Sequence, residues 1–155
     1  MGLKEELGLP NDVESEAHET VLNVMVTADL LAKEGERVAR PHGLTEAQLN
    51  VLMLLKYQCS GGELDQSSLG RMLVVNRSNV TGLVDRMERA GWVRRAPDAA
   101  DRRVKRVSLT AEGKQVLRAA ERAYLRRVDE VVGGLTDPEK AALRTLLQKI
   151  RNKLR

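Results

Sequence analysis

Between Asn76 and Thr110 the apolar residues change their spacing once, at Gly91, and that change limits the folds open to the chain. Before it, Val80, Leu83, Val84 and Met87 stand at i, i+3, i+4 and i+7, one face of an α-helix. After it, WVRR and VKRVSL read as two strands, the second setting Arg106 and Ser108 against Val107 and Leu109. PDAADRR, with Pro97 and two aspartates, is the loop between them. The spacing therefore predicts a helix that Asn76 can cap, a stop with Gly91 in the C′ position, and a β-hairpin close to that helix.

The flanking sequence supplies the helices around this unit. Val21, Leu22, Met25, Ala28 and Ala32 recur at helical spacing, which predicts a first long helix from about Val13 to Arg40, closed by Pro41. Thr45 and Gln48 form a capping box for a second helix with Leu49, Leu52, Met53 and Leu55 as its buried stripe, ended by Gly61-Gly62. Met53 and Tyr57 are expected in the core. Asp65 can cap a short helix carrying Leu69, Met72 and Leu73; with the helix after Asn76 it makes a helix-turn-helix pattern. Thr110 caps a long helix to about Val132, with Leu117, Ala120, Tyr124, Val128 and Val131 in heptad-like register. Gly133-Gly134 breaks it, and TDPE at Thr136–Glu139 opens a last helix carrying Leu143, Leu146, Leu147, Ile150 and Leu154. Only 2% of the 155 residues are aromatic, so the core must be aliphatic, which suits helices.

Charge divides the chain. Residues 1–70 carry 5 Lys/Arg against 12 Asp/Glu, a net of −7, whereas residues 71–155 carry 21 against 10, a net of +11. A basic block inside a folded chain suits a polyanionic partner. The helix after Asn76 turns Ser78, Gly82, Asp85 and Arg89 away from its apolar face, with Asn79, Thr81 and Arg86 beside them. Short hydrogen-bonding groups and arginine match the edges of bases in a DNA major groove, and Gly82 allows close approach. An arginine at the tip of the adjacent hairpin suits the narrow, electronegative minor groove. Asp101, just before Arg102-Arg103, can orient a guanidinium by a charge-assisted hydrogen bond.

LVVNRSNVTGLVDRMERAGWVRR, followed by DRRVKRVSLTAEG, resembles the MarR family of winged helix-turn-helix regulators. The resemblance implies a mainly α fold with a small β-hairpin wing: a winged helix-turn-helix core at residues 41–110, between dimerisation helices at 1–40 and 111–155. It implies a homodimer on palindromic double-stranded DNA, usually as a repressor. On that pattern Asn76, Arg77, Ser78, Asn79, Thr81 and Arg86 fall on the recognition helix. Asp101 and Arg103 match the wing, with Arg103 as the minor-groove residue. It further implies a small, often phenolic or anionic, effector between the winged helix and the dimer helices; the sequence does not identify it. Independently, the stripe Leu143, Leu146, Leu147, Ile150 and Leu154 has no later segment to cover it, so it calls for the first helix, a second chain, or both.

Other function classes find little support. His18 and His42 lie in different segments, with no Cys-His or HExxH arrangement and no phosphate-binding glycine loop, so neither an enzyme nor a metal site is expected, and no cofactor. The single cysteine, Cys59, cannot form a disulfide within the chain and is expected to be a plain thiol in a reducing compartment. With no signal peptide and no membrane span in view, the expectation is a cytoplasmic protein. The competing reading is an architectural or protein-contact winged-helix module without a regulated promoter.

Overall fold

The computed structural model describes residues 2–58, 62–73 and 80–155. Helix α1 (Leu3–Leu7) precedes α2 (Glu16–Ala39), and a short 3-10 turn, Arg40–His42, leads to α3 (Glu46–Tyr57). Strand β1 (Glu63–Asp65) runs into α4 (Gln66–Met72), and α5 (Val80–Arg89) follows. Strands β2 (Val93–Pro97) and β3 (Lys105–Leu109) form the hairpin, and α6 (Ala111–Val132) and α7 (Asp137–Lys153) close the chain. This is a mainly helical winged-helix fold, as expected.

The caps explain most boundaries. The side chains of Thr45, Asp65, Thr110 and Thr136 each accept a backbone N–H from the first turn of their helix. Thr45 and Thr136 complete capping boxes with Gln48 and Glu139. Helix α5 ends in a Schellman arrangement: Gly91, at φ 76°, donates to the Glu88 carbonyl and Trp92 to the Met87 carbonyl. Three details differ from the sequence reading. Helix α2 begins after Ser15, whose hydroxyl accepts the His18 N–H, not at Val13. The five-residue α1 was not expected. Pro97 belongs to β2, paired with Lys105, where a terminal position spares it a lost ladder bond.

The sheet has the order β1-β3-β2, all antiparallel. β1 is a third strand that the sequence did not signal, three residues long with Leu64 opposite Val107. One face of the sheet joins the aliphatic core: Val93 and Val107 pack with Leu49, Leu52 and Leu55 of α3, Leu69 of α4, Val84 and Met87 of α5 and Leu117 of α6. Burying each such side chain contributes about 1.5–3 kcal/mol. Helix α6 is fixed to the hairpin base by a close approach. A Cβ on Gly113 would lie 1.9 Å from the Trp92 carbonyl oxygen, so only glycine fits. The Thr110 hydroxyl, which accepts Gly113 N–H at 3.0 Å, donates to the Gly91 carbonyl at 2.6 Å.

Tyr57 corrects the sequence reading. It is not a core residue but 53% exposed, and its hydroxyl donates to the buried carboxylate of Glu121. Lys56 binds the same carboxylate at 2.6 Å and lies over the Tyr57 ring. Burial pushes the Glu121 carboxyl up, but the hydrogen bonds from Lys56 and Tyr57 outweigh it and hold it below the usual range. Beyond the core, large apolar side chains stand in solvent. Val21, Met25, Leu30 and Leu31 on α2, and Leu125, Val128 and Val131 on α6, are all exposed. No described residue of α7 is buried; Leu143 and Leu146 are exposed, Leu147 and Ile150 half-buried, and Leu154 is 80% exposed.

Candidate nucleic-acid interface

The hairpin tip is built by two aspartates. Asp98 Oδ1 accepts the backbone N–H of Ala100 at 2.8 Å and of Asp101 at 3.2 Å, and its Oδ2 accepts Arg106 Nε at 2.5 Å. The Asp98 N–H in turn donates to the Val104 carbonyl, and the Val104 N–H to that of Asp101. A tight polar turn results, with almost no apolar burial. Asp101 then holds Arg103: its carboxylate accepts the Arg103 N–H at 3.0 Å, Nε at 3.1 Å and Nη2 at 3.3 Å. The Arg103 side chain is nonetheless 92% exposed. The guanidinium is aimed by its near edge and bare on its far edge. Arg103 draws the Asp101 carboxyl below the usual range, chiefly by the side-chain hydrogen bond, and Arg106 does the same for Asp98. Arg102 is exposed and in no ion pair among the described residues.

The hairpin is tied to α5 through Arg95 on β2. Its Nη2 reaches Asp85 Oδ1 at 2.5 Å and Glu88 Oε2 at 2.7 Å, its Nε reaches Glu88 Oε2 at 2.9 Å, and its backbone N–H donates to Glu88 Oε1 at 2.8 Å. Hydrogen bonding to Arg95 lowers the Glu88 carboxyl, and hydrogen bonding to Glu88 raises the guanidinium further. Two acids three residues apart thus grip one planar cation, a fork that lysine could not reproduce. Asp85, expected on the outward face, is used here instead.

The remaining expected residues divide in two. Thr81 is exposed on the first described turn of α5 and accepts a hydrogen bond from Gln66 Nε2 at 3.0 Å, which links α4 to α5. Arg86 is exposed, without an ion pair among the described residues, and Gly82 is half-buried between them. Thr81 and Arg86 are thus both exposed on α5, five residues apart. Asn76, Arg77, Ser78 and Asn79 lie outside the described residues, as does Cys59. Sequence reasoning missed Asp98, Arg95 and Gln66. Their signal is pairwise: Asp98 meets Arg106 across the hairpin, and Arg95 meets acids from another element, so neither shows as a local pattern.

Among the described residues there is no cluster of His, Cys, Asp or Glu suited to a metal ion and no helix long and apolar enough to cross a membrane. Residues 44–105 match the MarR family model. Among curated relatives, the transcriptional activatory protein BadR of Rhodopseudomonas palustris is 40% identical over 89 residues, 57% of this chain and 51% of that protein. The chain thus spans about half of BadR's length. The regulator PecS of Dickeya dadantii is 26% identical over 125 residues, 81% of this chain and 75% of its own. Among solved structures, Sco3205 of Streptomyces coelicolor, a MarR family regulator in complex with DNA, superposes with a TM-score of 0.80 at 24% identity, over 94% of this chain and 93% of that one. The segment that matches the MarR family model is the winged-helix part of the chain, and the relatives that it resembles are transcriptional regulators.

Proposed function

We propose that the chain acts as a homodimer on a palindromic operator, as a repressor, and is released by a small molecule. The recognition helix, about residues 76–90, enters the major groove, with Asn76, Arg77, Ser78, Asn79, Thr81, Gly82 and Arg86 at base edges and phosphates. The wing, about 95–105, enters the minor groove with Arg103. Arg102 takes a flanking phosphate. The observation that carries this reading is the Asp101–Arg103 clamp: a cation 92% exposed yet held by three hydrogen bonds at the tip of a stiffened hairpin. An arginine inserted into a narrow groove loses rotamer freedom, and holding it beforehand cuts that cost. Sco3205, which shares this fold, is a regulator in complex with DNA.

The division into 1–40, 41–110 and 111–155 follows from the same reading. The exposed apolar residues of α2, α6 and α7, Leu143, Leu146, Leu147, Ile150 and Leu154 among them, form the dimer surface with a second copy. A two-fold dimer sets two recognition helices roughly 34–36 Å apart, one turn of DNA. For the effector, the support is a cavity of about 590 Å³ between α2, α3 and α6, lined by apolar Leu31, Val38, Tyr124 and Val128 and by Glu46 and the Arg127–Glu34 ion pair. That volume suits a small organic compound; the phenolic or anionic class comes from the family resemblance. Selection of bound sequences from random DNA tests the reading. One enriched palindrome supports a regulator; no enrichment favours the architectural module.

A further inference from the structure

Gln66, the first residue of α4, stands where the sheet, α4 and α5 meet. Asp65 before it ends β1, pairs with Arg106 of β3 in the sheet, and caps α4 by accepting the Ser68 N–H at 2.8 Å. Leu69, three residues on, is buried in the core. Gly70 lets α4 lie close on α5: a Cβ there would come within 3.3 Å of Val80 Cγ2. The backbone at Gln66 is therefore fixed from both sides. Its half-buried side chain crosses to α5, where Nε2 donates to Thr81 Oγ1 at 3.0 Å. Arg95 ties the later turns of α5 to β2, through Asp85 and Glu88. Gln66 ties its first described turn to β1, by way of α4.

This bond does more to Thr81 than hold it. Threonine on a helix divides its χ1 between two rotamers, and a donor on one side selects one of them. A hydroxyl has one hydrogen and two lone pairs. The Gln66 amide takes a lone pair, which leaves the hydrogen to be given. An oxygen that accepts a hydrogen bond also gives its own hydrogen more strongly. Thr81 is exposed, so it presents outward a polarised O–H whose direction is set from α4. Holding that group in place before docking cuts the ordering cost of any contact it makes.

We propose that Gln66 is a positioning residue for operator selectivity: it makes the Thr81 hydroxyl a hydrogen-bond donor toward one base. That position of each half-site then favours an acceptor edge, such as guanine N7 or O6 or thymine O4, over the amino group of cytosine. The inference rests on the operator reading above and names how one of its contacts is set.

Selection from random DNA, run on the parent chain and on Gln66→Met, Gln66→Glu and Thr81→Val, tests it. Methionine keeps the length of glutamine without its amide. Glutamate keeps a link but reverses it, because its carboxylate accepts the Thr81 O–H. Its charge weakens binding to all DNA alike and cancels in the ratio of operator to random affinity. All three variants should relax the same single base pair of each half-site and lower that ratio about fivefold, the loss of one hydrogen bond. In the Thr81→Val background, Gln66→Met should cost nothing further. Circular dichroism checks that each variant folds. A Gln66→Met profile identical to that of a parent chain with an enriched palindrome overturns this inference alone. So does relaxation at several base pairs at once, which would make Gln66 a brace for the whole helix, or a Gln66→Glu profile that keeps the parent's selectivity. Equal losses on operator and random DNA overturn it too, and would make Thr81 a phosphate contact. A parent chain that enriches no palindrome refutes the operator reading itself, and this inference with it.

Discussion

The wing and the helical platform of α2, α6 and α7 are opposite in construction. The wing tip has almost no apolar burial, yet its carboxylates Asp98 and Asp101 are fully engaged with backbone N–H groups and with Arg106 and Arg103. The platform has long helices with strong caps, yet leaves Met25, Leu146 and Leu154 in water. A polar network can fix a local shape in a single chain. An apolar stripe fixes nothing until something covers it. The difference teaches that the wing tip is complete in one chain, whereas the platform's apolar stripe stands uncovered.

The largest expected effect breaks the incomplete side. Leu143→Asp with Leu146→Asp places two charges on the uncovered stripe of α7. Sedimentation of the parent chain should give twice the 17.2 kDa chain mass, and the double variant should be monomeric or aggregate. A parent protein at 17.2 kDa at micromolar concentration would leave the platform unexplained.

The next effect lies where the two regions join. Gly113→Ala drives a Cβ to 1.9 Å from the Trp92 carbonyl oxygen and should cost about 3 kcal/mol, the upper end of overpacking, in urea unfolding. Gly134→Ala, with nothing within 4 Å, should be neutral or slightly stabilising. Equal effects would mean that the hairpin base is looser than described.

Glu121 sharpens the contrast, because it is a polar network placed inside the platform. Glu121→Ala should destabilise by about 1–2 kcal/mol near pH 7, since Lys56 can turn to solvent but Tyr57 loses its acceptor. The pH dependence has a definite sign. The Glu121 carboxyl is held below its unfolded value by Lys56 and Tyr57 against the opposing push of burial. Its stabilisation is therefore present above about pH 4.3 and fades as pH falls through the lower folded value. The urea midpoints of parent and Glu121→Gln should converge in that acidic window; a gap that stays constant would contradict the pairing.

A smaller effect concerns the strut between wing and helix. Arg95→Lys keeps the charge but not the fork that engages Asp85 and Glu88. Operator affinity should fall about tenfold with little change in salt dependence, because positioning is lost and no phosphate contact is. A loss confined to salt dependence would make Arg95 a phosphate contact.

Much of this was legible in the sequence, and the pattern of what was not follows the same contrast. Caps are short-range, so Thr45, Asp65, Thr110, Thr136 and Gly91 could be read directly. The Asp101–Arg103 clamp spans two residues and was equally plain. Strand β1 has three residues and owes its existence to β3, more than forty positions away, so no local period marks it. Tyr57 looked like core because it continues an apolar helix, but a hydroxyl whose acceptor lies on α6 cannot be seen from α3 alone. Asp85 shared the outward face on a helical wheel, and only the fold reveals Arg95 beside it.

The central claim is that Asp101 positions Arg103 for the minor groove. Fluorescence anisotropy on one operator, at two salt concentrations, tests it with Arg103→Ala and Asp101→Ala. Arg103→Ala should weaken binding and lower its salt dependence by about one counterion. Asp101→Ala removes a negative charge, so simple attraction to DNA should strengthen; loss of the clamp should weaken binding despite that. The expected result is weaker binding by Asp101→Ala at both salt concentrations, and tighter binding at both would contradict the account.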